Sequence, residues 1–232
     1  MPTHQPMMSP ERAEQIRQWH ENAYAMGRAE AGSDGQTFEY LGRTIVVPPK
    51  VQPVTGVSHL LGQAVLAEVR PDDRVLDMGT GSGVNAILAA SASTDVLAVD
   101  INPYALEAAA ANADRNGVAD RITVRRSDVF EAVDGEFDLI IFDPPFRWFA
   151  PRDEFENAST DENYGAMTRF FRGVRAHLTD RGRMLIFFGT SGDHDYLTSL
   201  MDAEGFTREA LAQDGLERDG LRVDYFTYRV RP

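Results

Sequence analysis

The chain has 232 residues, enough to bury a full α/β core without covalent staples, and it contains no cysteine. Disulfides, thiolate metal sites and cysteine nucleophiles are therefore excluded, and the five histidines are scattered without metal-ligand spacing. A net charge of −13 disfavours phosphate-backbone partners unless the basic residues gather on one face.

The first residues lack the charged-then-apolar order of a secretion signal, and no apolar run nears the roughly 20 residues of a bilayer span. A soluble, cytoplasmic protein with no membrane partner is expected. Ser9-Pro10-Glu11 reads as a helix start, with a capping hydroxyl, proline in the first turn and an acid at the positive end. Ile16, Trp19, Ala23 and Met26 then give that helix one apolar face. After the breaker-rich segment 31–36, the stretch TFEYLGRTIVVPP predicts a short hairpin turning near Gly42 and stopped by Pro48-Pro49. Residues 1–54 are thus expected to form an extension of helix and hairpin, and 55–232 the main domain.

The main domain opens with a predicted helix over 55–69 and then alternates. Strand RVLDMG is followed by a helix over 83–91, and strand VLAVD by an alanine-rich helix from Asn102-Pro103 to Asn116-Gly117. Strands ITVRRSD and FDLIIFD come next, then a helix over 162–178, strand RMLIFFG and a helix over 193–204. Two last strands, near 208–216 and 223–230, flank the turn ERDG. Such alternation of apolar strands and helices predicts an α/β, Rossmann-like parallel sheet covered on both faces, with ligands bound beyond the strands' carboxyl ends.

Chemistry-bearing residues sit at those ends. Gly79, Gly81 and Gly83 occupy the first strand-to-helix turn, where glycine lets backbone approach a ligand. They match neither the dinucleotide fingerprint nor a P-loop. Asp100 ends the second strand, where a carboxylate accepts both hydroxyls of a ribose. Asp128 ends the third and suits an adenine amino group, with Val129 packing on the base.

VLDMGTGSG, AVD and FDPPF, in this order, resemble the class I S-adenosylmethionine-dependent methyltransferases. The last is similar to the (Asn/Asp/Ser)-Pro-Pro-aromatic signature of enzymes that methylate nitrogen. The preceding hairpin resembles the methyltransferase small domain group, which includes the release-factor glutamine methyltransferases. The resemblance covers about residues 38–230 and implies a seven-stranded sheet whose last strand is antiparallel. It further implies S-adenosylmethionine as cofactor, held by Asp77, Gly79, Gly81 and Gly83 at its methionine part, Asp100 with Ile101 at its ribose, and Asp128 with Val129 at its adenine. Asp143, Pro144, Pro145 and Phe146 would hold the acceptor, with Trp148 and Phe149 beside it.

The chemical reading of Asp143-Pro144-Pro145-Phe146 is direct. An amide or aromatic amine nitrogen shares its lone pair with a π-system and is a poor nucleophile. The Asp143 carboxylate and the Pro144 carbonyl each accept one of its hydrogens and free that pair, the prolines fix the backbone, and Phe146 faces a flat acceptor. The glutamine-modifying relatives carry asparagine and tyrosine where this chain has Asp143 and Phe146, and a carboxylate also suits a cationic amine. The following segment mixes Trp148, Phe149 and Phe155 with Asp153, Glu154, Glu156, Asp161 and Glu162, so it reads either as a solvated loop or as a lid selecting a basic acceptor. An N-methyltransferase acting on a small molecule or protein side chain is expected. An RNA-base methyltransferase is the alternative, requiring Arg12, Arg17, Arg28, Arg43 and Lys50 to gather beside the pocket, and a catalytically silent cofactor-binding protein is a third reading. His194 is assigned no role.

Overall fold

The apolar runs alternate with caps and breakers, and each run becomes one element. The computed structural model describes residues 3–30, 35–218 and 220–232. Residues 31–34 of the expected connection and Asp219 of the last turn lie outside them, as do the side chains of Met26, Arg28, Glu154 and Phe155. In chain order the elements are α1 (Pro10–Glu30), the hairpin β1 (Gln36–Tyr40) and β2 (Arg43–Val47), α2 (His59–Glu68), β3 (Arg74–Met78), α3 (Val84–Ala89), β4 (Asp95–Asp100) and α4 (Pro103–Arg115). There follow β5 (Ile122–Arg126), β6 (Phe137–Phe142), α5 (Glu154–Asn157), α6 (Gly165–Gly173), β7 (Leu178–Gly189), α7 (His194–Ala203), β8 (Thr207–Arg218) and β9 (Leu221–Arg231).

β3 to β9 form one seven-stranded sheet in the order β5-β4-β3-β6-β7-β9-β8. β3 pairs in parallel with β4 and β6, β4 with β5, and β6 with β7. β9 runs antiparallel between β7 and β8, so the expected mostly parallel sheet with an antiparallel last strand is present. Side chains alternate across the strands and feed two cores. Leu139 and Ile141 of β6 face α2, α3 and the hairpin; Ile140 and Phe142 face α6 and α7. α1 joins both sides, since Ile16 packs in the second core and Trp19 against the first.

The small hairpin is a separate sheet, and two amides of α4 hold its β2 edge. Asn112 donates to the Val46 carbonyl and accepts from the Val46 N–H, at 2.8 and 3.0 Å. Asn116 does the same for Thr44, at 2.9 and 3.2 Å. Two side chains thus satisfy backbone groups that an edge strand would otherwise leave open.

Three boundaries differ from expectation. α2 begins at His59, because Ser58 Oγ accepts from the Thr55 N–H at 3.0 Å and turns residues 55–58 outside the helix. The expected helix over 162–178 is interrupted by Asn163 and Tyr164, both at positive φ; α6 starts after them, its first N–H groups capped by Asp161. β7 starts at Leu178 rather than Arg183, with a register shift opposite Phe137–Leu139.

Candidate active site at the strand ends

The turn after β3 is a backbone cradle. Gly79, Gly81 and Gly83 all have positive φ, the left-handed region that favours glycine. At Gly83 a Cβ would meet Ala109 Cα at 2.9 Å, so glycine there lets α4 approach. At Gly79 a Cβ would meet nothing within 4 Å, and that position opens on free space beyond the strand. Asp77 braces the turn from below: its Oδ2 accepts from Thr80 Oγ1 at 2.6 Å and from the Ala86 N–H at 3.1 Å. Burial pushes its carboxyl up to about 6, against those bonds.

Asp100 closes the other side. Its Oδ2 accepts from the Gly81 N–H and its Oδ1 from the Asn102 N–H, each at 2.9 Å. Each carboxylate oxygen keeps a second acceptor position, which suits it to a pair of hydroxyls. Burial raises its pKa. Ile101 next to it is 50 % exposed, a large apolar side chain at the mouth of the turn. Asp128 is gripped by Arg169 through two bonds of 2.9 and 2.7 Å, so any further donor must share its oxygens. Val129 has φ +51°, an outlying conformation for a β-branched residue. Ser127 stabilises it by donating to the Val129 carbonyl at 2.7 Å.

Asp143 follows β6, next to β3 in the sheet. Among the described residues its carboxylate has no hydrogen-bond partner. Water reaches it, yet the surrounding protein strips much of its hydration; that, followed by the charge of Asp77, pushes its pKa up to about 7. Tyr40, at the end of β1, lies close enough for the Asp143 charge to raise a phenol pKa already raised by burial. Its hydroxyl occupies the space that Gly62 leaves, where a Cβ would stand 2.3 Å away. The hairpin thus reaches the end of β6. Tyr40 was not singled out by its sequence context; its place before a glycine turn marks only a strand end.

The aromatic part of the motif is fixed from behind. Phe146 packs 4.9 Å from Phe188 and 6.1 Å from Tyr225, centroid to centroid. Its carbonyl accepts from Tyr164 Oη at 2.7 Å, and Tyr164 Oη in turn accepts from the Asp193 N–H at 2.7 Å. Pro144 is buried and Pro145 half-buried between Asp143 and that anchor. Trp148 is buried against Phe149 and Tyr164, and Phe149 carries the Arg17 guanidinium 4.6 Å above its ring. Both line a cavity of about 540 Å³ between α1 and the loop, shared with His4, Arg17, His20 and Arg152.

The motif positions from Asp77 to Phe149 lie within one family match. Residues 55–203 match the methyltransferase small domain. The chain belongs to that family. A release factor glutamine methyltransferase of Cereibacter sphaeroides is 34 % identical over 175 residues, covering 68 % of this chain and 61 % of the relative. A ribosomal protein uL3 glutamine methyltransferase of Bordetella pertussis is 38 % identical over 130 residues, covering 53 % and 41 %. The chain therefore spans less than two thirds of the length of either relative. Among solved structures, Trm5 of Methanocaldococcus jannaschii, determined in complex with adenosine, superposes with a TM-score of 0.64 at 19 % identity, over 86 % of this chain and 56 % of that one. This last likeness shows the fold alone.

Proposed function

We propose that the protein is an S-adenosylmethionine-dependent N-methyltransferase whose acceptor is an amine or amide nitrogen of a small molecule or protein side chain. The observation that carries this is the Asp143 carboxylate, water-accessible and unpartnered among the described residues, at the end of β6 and beside the glycine turn of a methyltransferase-family domain. The open space at Gly79, the apolar surface of Ile101 and the free acceptor positions of Asp100 fit a sulfonium nucleoside. Gly79, Gly81 and Gly83 with Asp77 would hold its methionine part, Asp100 and Ile101 its ribose, and Asp128 and Val129 its adenine. Bound there, the cofactor supplies a methyl carbon already activated by positive charge.

The chain's own contribution is positioning and proton management. Asp143 and the Pro144 carbonyl accept hydrogens from the acceptor nitrogen, and Phe146 faces the acceptor with its ring. Pro145, Trp148 and Phe149 support that face. With a pKa near 7, Asp143 takes up the proton that an amine must lose. In this reading residues 1–54 are an extension that completes the acceptor site through Tyr40 and α1, and 55–232 the methyltransferase domain. Cytoplasmic action follows from a nucleoside cofactor and protein-type acceptors; among the described residues no helix is long and apolar enough to cross a membrane.

The acidic loop fits a solvated, self-braced segment better than a selector of basic acceptors. Glu156 is spent on Arg152 and His20, at 2.6 and 2.7 Å; burial opposes its charge, but Arg152 outweighs burial and holds its pKa down to about 2. Asp153 caps α5 and Asp161 caps α6, which leaves, among the described side chains of the loop, the exposed Glu162 as the acid that a basic acceptor would meet. The RNA alternative lacks support, since the four of its cations whose side chains are described are engaged apart from one another: Arg12 donates to Thr190 and Arg222 carbonyls, Arg17 covers Phe149, Arg43 bonds Gly42 and Lys50 bonds Tyr104.

Calorimetry with S-adenosylmethionine, joined to transfer of a labelled methyl group into amines, proteins and RNA, tests the proposal. Asp100→Ala is expected to weaken cofactor binding about tenfold or more, and Asp143→Ala to keep binding but lose turnover. Equal loss of cofactor affinity in both variants would remove the assigned division of labour.

A further inference from the structure

Among the described residues two arginines are buried, and they are treated in opposite ways. Arg183, 1 % exposed, is neutralised: it donates to both Asp73 oxygens at 3.2 and 2.8 Å, to the Asp138 carbonyl at 2.9 Å, and to Glu68. Arg147, the residue immediately after Phe146, is 9 % exposed and has no such company. Among the described residues its guanidinium makes neither an ion pair nor a hydrogen bond, and its Nε is sealed from water without an acceptor. Its Cζ lies 4.9 Å from the Trp19 ring of α1 and 5.9 Å from the Phe146 ring.

A buried cation without a counter-charge is unfavourable, and burial accordingly pushes this guanidinium down to about 10. Cation–π contact with Trp19 offsets only part of that penalty, and it engages the flat face of the group. The terminal Nη donors at its edge, unlike the sealed Nε, are not buried without a partner and stay available. A buried unsatisfied donor of this kind calls for a physical reason, and a ligand that completes it supplies one. Position says which ligand. Asp143 and Arg147 are four steps apart in one motif, at most about 14 Å along extended chain, with Phe146 between them. A single small acceptor spans both. Planar two-point pairing suits a carboxylate, and the chain's net charge of −13 opposes a polyanion.

We propose that Arg147 is the anion subsite of the acceptor pocket, pairing with a carboxylate on an acceptor whose nitrogen meets Asp143 and whose flat body lies along Phe146. This rests on the methyltransferase reading for the name acceptor, but the subsite itself is testable without cofactor. The acceptor class is an amine or amide that also carries a carboxylate. Glu156 and Asp161 of the loop do not compete for Arg147, being engaged elsewhere: Glu156 with Arg152 and His20, Asp161 with the start of α6.

The test uses the intact chain with sodium benzoate, benzamide and inorganic phosphate as separate probes, read by calorimetry and thermal denaturation. Benzoate is expected to bind and raise Tm, benzamide to do neither, and Arg147→Met to weaken benzoate binding by about tenfold or more. Arg147→Lys, which keeps the charge but loses the fork, should retain only part of the affinity. Arg147→Met without ligand should be at least as heat-stable as wild type, since an unpaired buried charge is gone. The proposal is overturned if benzoate does not bind, if Arg147→Met binds it equally, or if phosphate binds and benzoate does not. A large fall in Tm or unfolding in Arg147→Met overturns it as well, because the arginine would then be a structural brace. Benzoate binding with no S-adenosylmethionine binding would leave the subsite standing and remove the methyltransferase reading; the reverse result would do the opposite.

Discussion

At the residue scale, Asp143 is the most informative side chain, because its environment sets its proton affinity. Its folded pKa of about 7 lies above the usual range near 4 for an unfolded chain. Between those values the folded state binds the extra proton, so this group's contribution to stability falls as pH rises from about 4 to about 7. Asp143→Asn is therefore expected to raise Tm at pH 8 and leave it nearly unchanged at pH 4, and the charge of Asp77, which also raises the Asp143 pKa, adds to the effect. Thermal denaturation at the two pH values decides the point, and an equal shift at both would place the raised proton affinity elsewhere. Much at this scale was legible in the sequence. Glycines at alternate positions and acids ending successive strands are local signals. The partners were not: that Asp128 is held by Arg169, or that no carboxylate among the described residues pairs with Arg147, depends on residues far apart in the chain.

At the scale of elements, the sheet was readable because buried parallel strands are near-continuous apolar runs, and the helices because their caps are short-range. The segment after β6 was not, since tertiary contacts override its pattern. Residues 162–178 carry a helix-like sequence, yet Asn163 and Tyr164 turn to positive φ so that the Tyr164 hydroxyl can stand between the Phe146 carbonyl and the Asp193 N–H. A non-glycine residue held in that conformation persists only where its surroundings over-determine it. The N-terminal segment adds to the same strut: His4 bonds Asp193 at 2.9 Å and packs edge-on to Tyr164 at 4.9 Å. Tyr164→Phe is expected to cost about 1–3 kcal/mol, because a buried N–H loses its acceptor, and to lower kcat more than it alters cofactor affinity, because Phe146 loses its anchor. Denaturant titration and single-turnover transfer measure the two parts. An unchanged kcat in a destabilised variant would confine Tyr164 to a structural role.

At the scale of the molecule, charge and site geometry point the same way. The −13 body repels polyanions, the described side chains among the cations considered for RNA bind different parts of the chain, and Arg147, buried without a hydrogen bond or ion pair among the described residues, sits beside the motif. Ionic strength separates these arrangements. An RNA acceptor releases counterions and loses about 10³–10⁵ in affinity between 50 and 200 mM salt when six to ten phosphates are held. A small carboxylate enclosed against Arg147 is screened far less, so its binding should change by only about twofold over the same range. Methyl incorporation from labelled cofactor into a cell extract, fractionated into small molecules, protein and RNA at both salt concentrations, reads this directly. Label is expected in the first two fractions with little salt dependence. Incorporation confined to RNA and falling steeply with salt would show instead that the dispersed arginines converge on a backbone, and that the acidic surface does not govern which acceptor is admitted.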